Sequence, residues 1–134
     1  MSKIKFCSKE HEEFFYAMLL KCGNMDVYHM AFFYTVGLTA KTRIHVQQLF
    51  SLNDDCIIPE GLHHGWQTGG TSRVTRLAFN LWNGFMEEGC EELFTPYGMF
   101  DCEFTLYFFE AVKLRYPEYC WMYQEETQEA VAAR

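Results

Sequence analysis

Apolar residues recur at intervals of three and four in several segments of the chain, which is the spacing of an amphipathic helix. The first such segment lies between Ser8 and Gly23, and its first turn is rich in glutamate. Serine is a favoured N-cap, early glutamates suit the positive end of the helix dipole, and glycine often follows a helix. The pattern predicts a first helix over residues 9–22.

The second segment is apolar around most of its circumference, because Phe32 and Phe33 widen its apolar stripe. So wide an apolar surface is typical of a helix that other elements surround. We therefore predict a central helix over residues 24–36, with Asn24 or Asp26 as its N-cap.

A third helix is predicted over residues 40–50, with Thr39 as its N-cap. Its inward side chains are expected to be Ile44, Leu49 and Phe50. The periodicity breaks over residues 51–71, where Asn, Asp, Pro and Gly are frequent. A loop of this length is uncommon inside a compact domain and is often functional.

Capping residues precede three apolar segments in the second half of the chain. Pro117 ends the last of them, because the residue before a proline disfavours helical dihedral angles. The predicted segments are residues 73–83 after Ser72, a short turn at residues 96–100 after Thr95, and residues 102–115 after Asp101.

These elements predict a mostly all-α fold: a compact bundle of about five helices with a long irregular loop between helices three and four. Short β pieces around residues 56–58 are compatible with that loop. We predict a single helical domain over residues 1–121 and an acidic C-terminal tail over residues 122–134, either a helical extension or frayed. Thirteen Phe, eight Tyr and three Trp among 134 residues exclude a disordered chain.

The net charge of −7 lowers the expectation of non-specific nucleic-acid binding, since an acidic field repels phosphates. No apolar core of a secretory signal follows the first residues, and no stretch is long enough to span a bilayer. The sequence therefore predicts a cytoplasmic protein without membrane contact. Its six cysteines form no C-x-x-C pair, which predicts buried free thiols.

The loop holds the first candidates for chemistry: Cys56, His63 and His64. Structural zinc sites prefer closely paired ligands, and that spacing is absent. Neither a G-x-S-x-G elbow nor a cysteine-protease signature is present. We therefore predict no catalytic residue, no metal and no cofactor, with a small metal-dependent or cysteine enzyme as one alternative.

Arg73 and Arg76 lie one helical turn apart behind a Gly-Gly-Thr-Ser run, so they could meet a phosphate at a helix N-terminus. With Lys41 and Arg43 they suggest a second alternative, a helix-turn-helix-like DNA-binding regulator. The connection of about twenty residues is long for that motif, which uses a turn of three or four residues.

Between Leu77 and Val112 every formal charge is negative. Such a run is either a solvated face or a surface complementary to a basic partner. The chain also has more aromatic residues than a small core needs, and exposed Trp and Tyr often anchor interfaces. The predicted partner-binding residues are Glu87, Glu88, Glu91, Glu92, Trp66 and Tyr97.

Four stretches carry a family resemblance: FCSKEHEEFFYAML, YHMAFFYTVGLTAKTRIH, GWQTGGTSRVTRLAFNLWNG and PYGMFDCEFTLYFFEAVKLRYPEYC. Over residues 5–120 the chain resembles a family of small proteins, known as a domain of unknown function, from anaerobic Gram-positive bacteria and their mobile elements. The resemblance implies no catalytic residues. It implies a setting of conjugative elements or phages, where small acidic proteins often antagonise host nucleic-acid machinery, including CRISPR nucleases.

The leading interpretation is a small acidic protein-binding module from a mobile element. It would inhibit or modulate a host protein such as a nucleic-acid enzyme, and direct binding of nucleic acid is the less favoured interpretation. The sequence does not decide between a monomer and a homodimer.

Overall fold

Helices make up most of residues 3–120, the part of the chain that the computed structural model describes, and the mostly all-α prediction is confirmed. No helix in this part is long and apolar enough to cross a bilayer. The predicted tail lies outside it. Its α-helices are α1 (Lys9–Cys22), α2 (Val27–Val36), α3 (Ala40–Ile44), α4 (Gly69–Asn83), α5 (Pro96–Phe100) and α6 (Thr105–Arg115). Two short antiparallel strands, β1 (Phe50–Ser51) and β2 (Cys56–Ile57), pair with Phe50 opposite Ile57.

Helix α2 is central, as predicted, and α1, α4 and α6 pack around it. Residues 31–38 are all buried. The ring of Phe32 lies 5.0 Å from that of Phe50 and stacks on that of Phe79 at 6.4 Å. Of the two predicted caps, Asp26 is the one used, since its Oδ1 accepts the His29 backbone N–H at 2.9 Å.

Helix α1 has the predicted bounds and the predicted ends. The Ser8 hydroxyl accepts the His11 backbone N–H at 3.0 Å. Gly23 has a φ of +65°, the left-handed conformation in which glycine closes helices without strain.

The prediction of a helix over residues 40–50 is wrong beyond Ile44. A 3₁₀ turn at Val46–Gln48 leads into β1, and Phe50 is buried there. Ile44, predicted to face inward, is 76% exposed. The apolar run therefore supplies the core through a turn and a strand rather than through one helix. The expected β pieces around residues 56–58 are confirmed by β2, and a second 3₁₀ turn at Pro59–His63 follows it.

Helix α4 begins earlier than predicted, at Gly69 instead of Arg73. Its N-cap is Thr68 and not Ser72. Thr68 and Thr71 form a capping box in which each hydroxyl accepts the other's backbone N–H, at 3.2 and 2.7 Å. The glycines therefore lie inside the first turn of the helix.

Helix α5 has the predicted bounds with Thr95 as its N-cap, whereas α6 begins at Thr105 and not at residue 102. Asp101 lies at the end of α5 and does not cap α6. A tight turn at residues 101–104 replaces the first predicted turn of α6, because the Thr105 hydroxyl donates to the Cys102 carbonyl at 2.7 Å. The helix ends at Arg115, before Pro117, as predicted.

The six cysteines are free thiols, but they are less buried than predicted. Cys56 is exposed on β2, and the other five are half-buried. None of them is a fully enclosed core residue.

Candidate protein-binding surface

The negative segment that follows α4 is anchored to the core at both ends. Gly84, with a φ of +79°, ends α4 and turns the chain. The ring of Phe85 lies 5.7 Å from that of Phe79 and 5.8 Å from that of Phe94, which is itself buried. We call residues 85–97 the acidic platform.

Hydrogen bonds fix the backbone of the acidic platform. The Asn80 side-chain amide donates to the Phe85 carbonyl at 3.2 Å. The backbone N–H of Gly89 donates to the Glu91 carboxylate at 3.1 Å. The Thr95 hydroxyl donates to the Glu92 carbonyl at 2.9 Å. A segment held in this way loses little conformational entropy when a partner binds it.

The outer side of the acidic platform combines charge with apolar surface. Tyr97 is 93% exposed and Met86 is 51% exposed. Glu88, Glu91 and Glu92 are exposed, and none of the three forms an ion pair within residues 3–120. Exposed tyrosine supplies contact area with few rotatable bonds, and free carboxylates attract a basic partner.

The carboxylates of the acidic platform also change the pKa of one side chain, the half-buried thiol of Cys90. Partial burial raises the pKa of Cys90, and the negative charges of Glu87, Glu92 and Glu91 raise it further. The three carboxylates therefore form one negative patch around the thiol, which is protonated and a poor nucleophile at neutral pH.

Glu87 differs from the other glutamates because basic side chains lie beside it. Its carboxylate accepts a hydrogen bond from Nε2 of His63. Burial and the charge of Arg73 lower the pKa of Arg76, while the charge of Glu87 acts in the opposite direction. The structure therefore brings together Glu87, the loop histidine and the two arginines that the sequence suggested for phosphate. The carboxylate of Glu87 opposes the positive charge of Arg76 and so weakens the attraction of Arg76 for nucleic acid.

One comparison with known protein families shows the family to which the chain belongs. The model of DUF6075, a family of unknown function, matches residues 1–128. The chain belongs to this family. The resemblance to a domain-of-unknown-function family is thereby confirmed. No curated protein and no solved structure matches the chain.

The other basic candidates in this DUF6075 chain lie on α3. Nη1 of Arg43 donates to the Gly37 carbonyl at 2.7 Å, so this side chain closes the C-terminal end of α2. Lys41 is exposed. Residues 45–68, including both strands, separate α3 from α4, whereas helix-turn-helix pairs are joined by three or four residues.

Trp66, the remaining predicted partner-binding residue, is half-buried and fixed against residues just after the end of α3. Its indole N–H donates to the Gln48 side-chain carbonyl at 2.7 Å, and its ring stacks on His45 at 4.2 Å. Cys56 and His64 are exposed. Within residues 3–120 no three His, Cys, Asp or Glu side chains come together as metal ligands.

Sequence reasoning missed one charged cluster in the DUF6075 chain, centred on the buried His29. Nδ1 of His29 bonds Asp26 at 2.8 Å, and Nε2 bonds Asp55 at 2.7 Å. Two carboxylate acceptors require two N–H donors, so the imidazole is protonated. Burial lowers the pKa of His29, but the bonds and charges of the two aspartates outweigh burial and raise it.

This cluster is structural. With both nitrogens donating, His29 has no lone pair with which to accept a proton or bind a metal. It ties the start of α2 to the turn between β1 and β2, where Asp55 has a φ of +52°. The signal in the sequence was weak: Asp26 was recognisable as a cap, but only the fold brings Asp55 to the same histidine.

We expect Asp55→Asn to destabilise the protein by about 1–2 kcal/mol, because His29 loses one charge-assisted hydrogen bond that solvent partly screens. Asparagine tolerates the positive φ, so the turn persists. Because the pKa of His29 is raised in the folded protein, protonation of His29 stabilises the fold. This stabilisation is fully present below the ordinary histidine pKa and is lost as pH rises through the raised pKa. In the variant the pKa of His29 is raised less, so that loss should be complete at lower pH.

Urea unfolding across pH and an NMR titration of the His29 imidazole measure both effects. Asp54→Asn is the matched control, since Asp54 lies exposed in the same turn and, within residues 3–120, its carboxylate accepts a hydrogen bond only from the Ser51 hydroxyl, at 3.3 Å. An unchanged His29 pKa in Asp55→Asn would contradict this account.

Proposed function

We propose that this protein is a binding module, not an enzyme, and that it docks its acidic platform on a basic surface of a partner protein. The observation that carries the proposal is the exposure of Tyr97 and Met86 on the same hydrogen-bonded segment as three exposed glutamates that form no ion pair within residues 3–120. Rigid aromatic anchors bordered by charge are typical of surfaces that select a partner through both contact and electrostatics.

The partner that fits this chemistry is a host protein with an exposed lysine- and arginine-rich surface. Enzymes that act on nucleic acid carry such surfaces, because they must neutralise phosphates. A rigid array of carboxylates competes for the same basic groups, so docking would inhibit or modulate the enzyme. The resemblance to proteins of mobile elements supports a CRISPR nuclease as one such target, by association alone.

The test is charge reversal on the acidic platform. The double variant Glu91→Lys/Glu92→Lys should recover at least tenfold less of the partner from a bacterial host lysate than the unaltered protein. Tyr97→Ala should reduce recovery by a similar factor, since it removes the most exposed aromatic ring of residues 3–120. Recovery by the unaltered protein should fall as salt rises, because the attraction is between exposed charges.

The matched control is Glu10→Lys/Glu13→Lys, which reverses two exposed charges on α1. It should recover the partner normally, with thermal unfolding showing that all variants are folded. If no partner is recovered by the folded protein, or if both double variants lose it equally, the proposal is wrong. Binding of duplex DNA by the unaltered protein at low salt would favour the regulator instead.

A further inference from the structure

Residues 3–7 precede α1 as an irregular strap that side chains hold in place. The Lys5 backbone N–H donates to the Glu110 carboxylate at 3.1 Å, and the Lys5 carbonyl accepts the Tyr34 hydroxyl. The Cys7 backbone N–H donates to Nδ1 of His11 at 3.1 Å. The strap is therefore fixed to α1, α2 and α6 together.

Within residues 3–120, only one edge of the strap forms backbone hydrogen bonds with the rest of the protein. Both backbone groups of Lys5 face the protein, as in a strand that is seated by one edge. The backbone N–H and carbonyl groups of Ile4 and Phe6 form no hydrogen bond within residues 3–120. Unpaired backbone groups of this kind are a template for an added strand.

Two depressions flank the strap and share Lys5 and Phe6 in their walls. One has a volume of about 580 Å³ and reaches Lys9 at the start of α1. The other has a volume of about 350 Å³ and reaches Phe109 on α6. Because they share walls, we treat them as one surface, the strap groove. Each is large enough for several side chains of a peptide.

The α6 side of the strap groove is apolar although it faces solvent. Leu106 is 80% exposed and Phe109 is 55% exposed. The ring of Phe6 lies 5.9 Å from that of Tyr16, which is 46% exposed, so apolar surface continues onto α1. Contiguous exposed apolar side chains of this kind mark interaction sites.

The rim of the strap groove is basic in a chain whose net charge is −7. Four lysines line it: Lys3, Lys5, Lys9 and Lys113. Two carboxylates line it as well. That of Glu110 is buried against the Lys5 N–H and lies 4.0 Å from Nζ of Lys113. This leaves three lysines facing the single exposed carboxylate of Glu12.

We propose that the strap groove binds an acidic segment of a partner protein, which adds as a strand along the free edge of the strap. Its backbone would pair with Ile4 and Phe6, and its alternate apolar side chains would pack on Phe109 and Leu106. Its carboxylates would meet Lys3, Lys5 and Lys9. The strap groove would bind an acidic partner, whereas the acidic platform is proposed to bind a basic one. The two proposals can therefore be tested independently.

The probe is a displayed library of nine-residue peptides with Val, Leu or Phe at alternate positions and any residue between them. The full-length protein should select peptides in which Asp and Glu fill the open positions. Synthetic copies should bind at least tenfold more weakly to Lys3→Glu/Lys5→Glu and to Phe109→Ser. In NMR spectra of the complex, the backbone amide signals of Ile4 and Phe6 should shift.

Matched controls change the same charge and apolar area elsewhere. Lys21→Glu/Lys41→Glu alters exposed lysines on α1 and α3, and Ile44→Ser removes an exposed apolar side chain. Both should bind the peptides normally. Selection without acidic enrichment, or equal losses in variants and controls, would overturn the proposal. So would tighter binding by a synthetic copy of residues 121–134, or lysine-dependent binding to phosphatidylglycerol vesicles with no peptide selected.

Discussion

Replacing Gly98 by alanine is expected to destabilise the protein by roughly 2–3 kcal/mol, the upper part of the range for overpacked sites. A Cβ atom there would lie 2.5 Å from the Glu92 carbonyl oxygen and 2.9 Å from Cα of Leu93. These are backbone atoms, so no side chain can rotate away to make room. Either α5 or the 3₁₀ turn at Glu91–Phe94 must move.

The same substitution should weaken partner binding, because Glu91 and Glu92 lie on that turn and Tyr97 lies on α5. Urea unfolding measures the stability, and recovery of the partner measures the displacement of the acidic platform. A loss of binding larger than the lost folded fraction would show that the platform itself has moved.

Gly69→Ala is the matched control for Gly98→Ala. A Cβ atom at residue 69 would meet nothing within 4 Å, and the residue lies in the first turn of α4. Alanine there should be neutral or stabilising by up to about 1 kcal/mol, because it restricts the unfolded chain. Equal losses at both positions would show that the close approach at Gly98 has no energetic consequence.

The elements that the sequence predicted correctly are those whose ends are encoded by neighbouring residues. Ser8 and Gly23 bound α1, and Thr95 with the following proline starts α5. A cap requires only a side chain and a backbone N–H two or three residues away, so periodicity and caps suffice. The central place of α2 was likewise visible in its wide apolar surface.

The errors arose where two local patterns competed and contacts with a neighbouring segment decided between them. Thr68 and Ser72 are both acceptable N-caps for α4. Thr71 is buried and its hydroxyl donates to the Gln67 side chain at 2.7 Å, so the earlier start satisfies a polar group that would otherwise be buried without a partner. At the end of α3, a short apolar run fits a strand as well as a helix, and pairing with β2 decides for the strand.

The acidic platform could be predicted in composition but not in arrangement. Its glutamates and Tyr97 are visible in the sequence, while the approach of His63 and Arg76 to Glu87 requires the fold. The strap groove was not predictable at all, since it joins the first residues to α6 across about one hundred positions of the chain. No local pattern encodes contacts of that range.

Acid should destabilise the protein through His11, by about 2–3 kcal/mol between pH 7 and pH 4.5. The His11 side chain is fully buried and neutral: Nε2–H donates to the Tyr34 carbonyl at 2.7 Å, while Nδ1 accepts the Cys7 backbone N–H. Burial lowers the pKa of His11 to about 4, the Tyr34 carbonyl opposes this, and the charge of Arg43 adds to it.

The direction of the pH effect on stability depends on whether the folded or the unfolded state binds the proton at the higher pH. The unfolded chain protonates this histidine near pH 6.5, whereas the folded protein does so only near its lowered pKa of about 4. The stabilisation is therefore fully present above pH 6.5 and is lost as pH falls toward 4. Each unit of pKa difference corresponds to about 1.4 kcal/mol, which gives the expected size.

The measurement is the difference in unfolding free energy between the unaltered protein and His11→Gln, by urea unfolding at several pH values. The difference removes the opposite contribution of His29, whose raised pKa favours the folded state in acid. It should shrink as pH falls, and a flat difference would show that His11 does not stay neutral. A protonated Nδ1 cannot accept the Cys7 N–H, so one anchor of the strap is lost with it. Peptide binding in the strap groove should therefore weaken only as pH approaches about 4, where the folded protein itself takes up the proton.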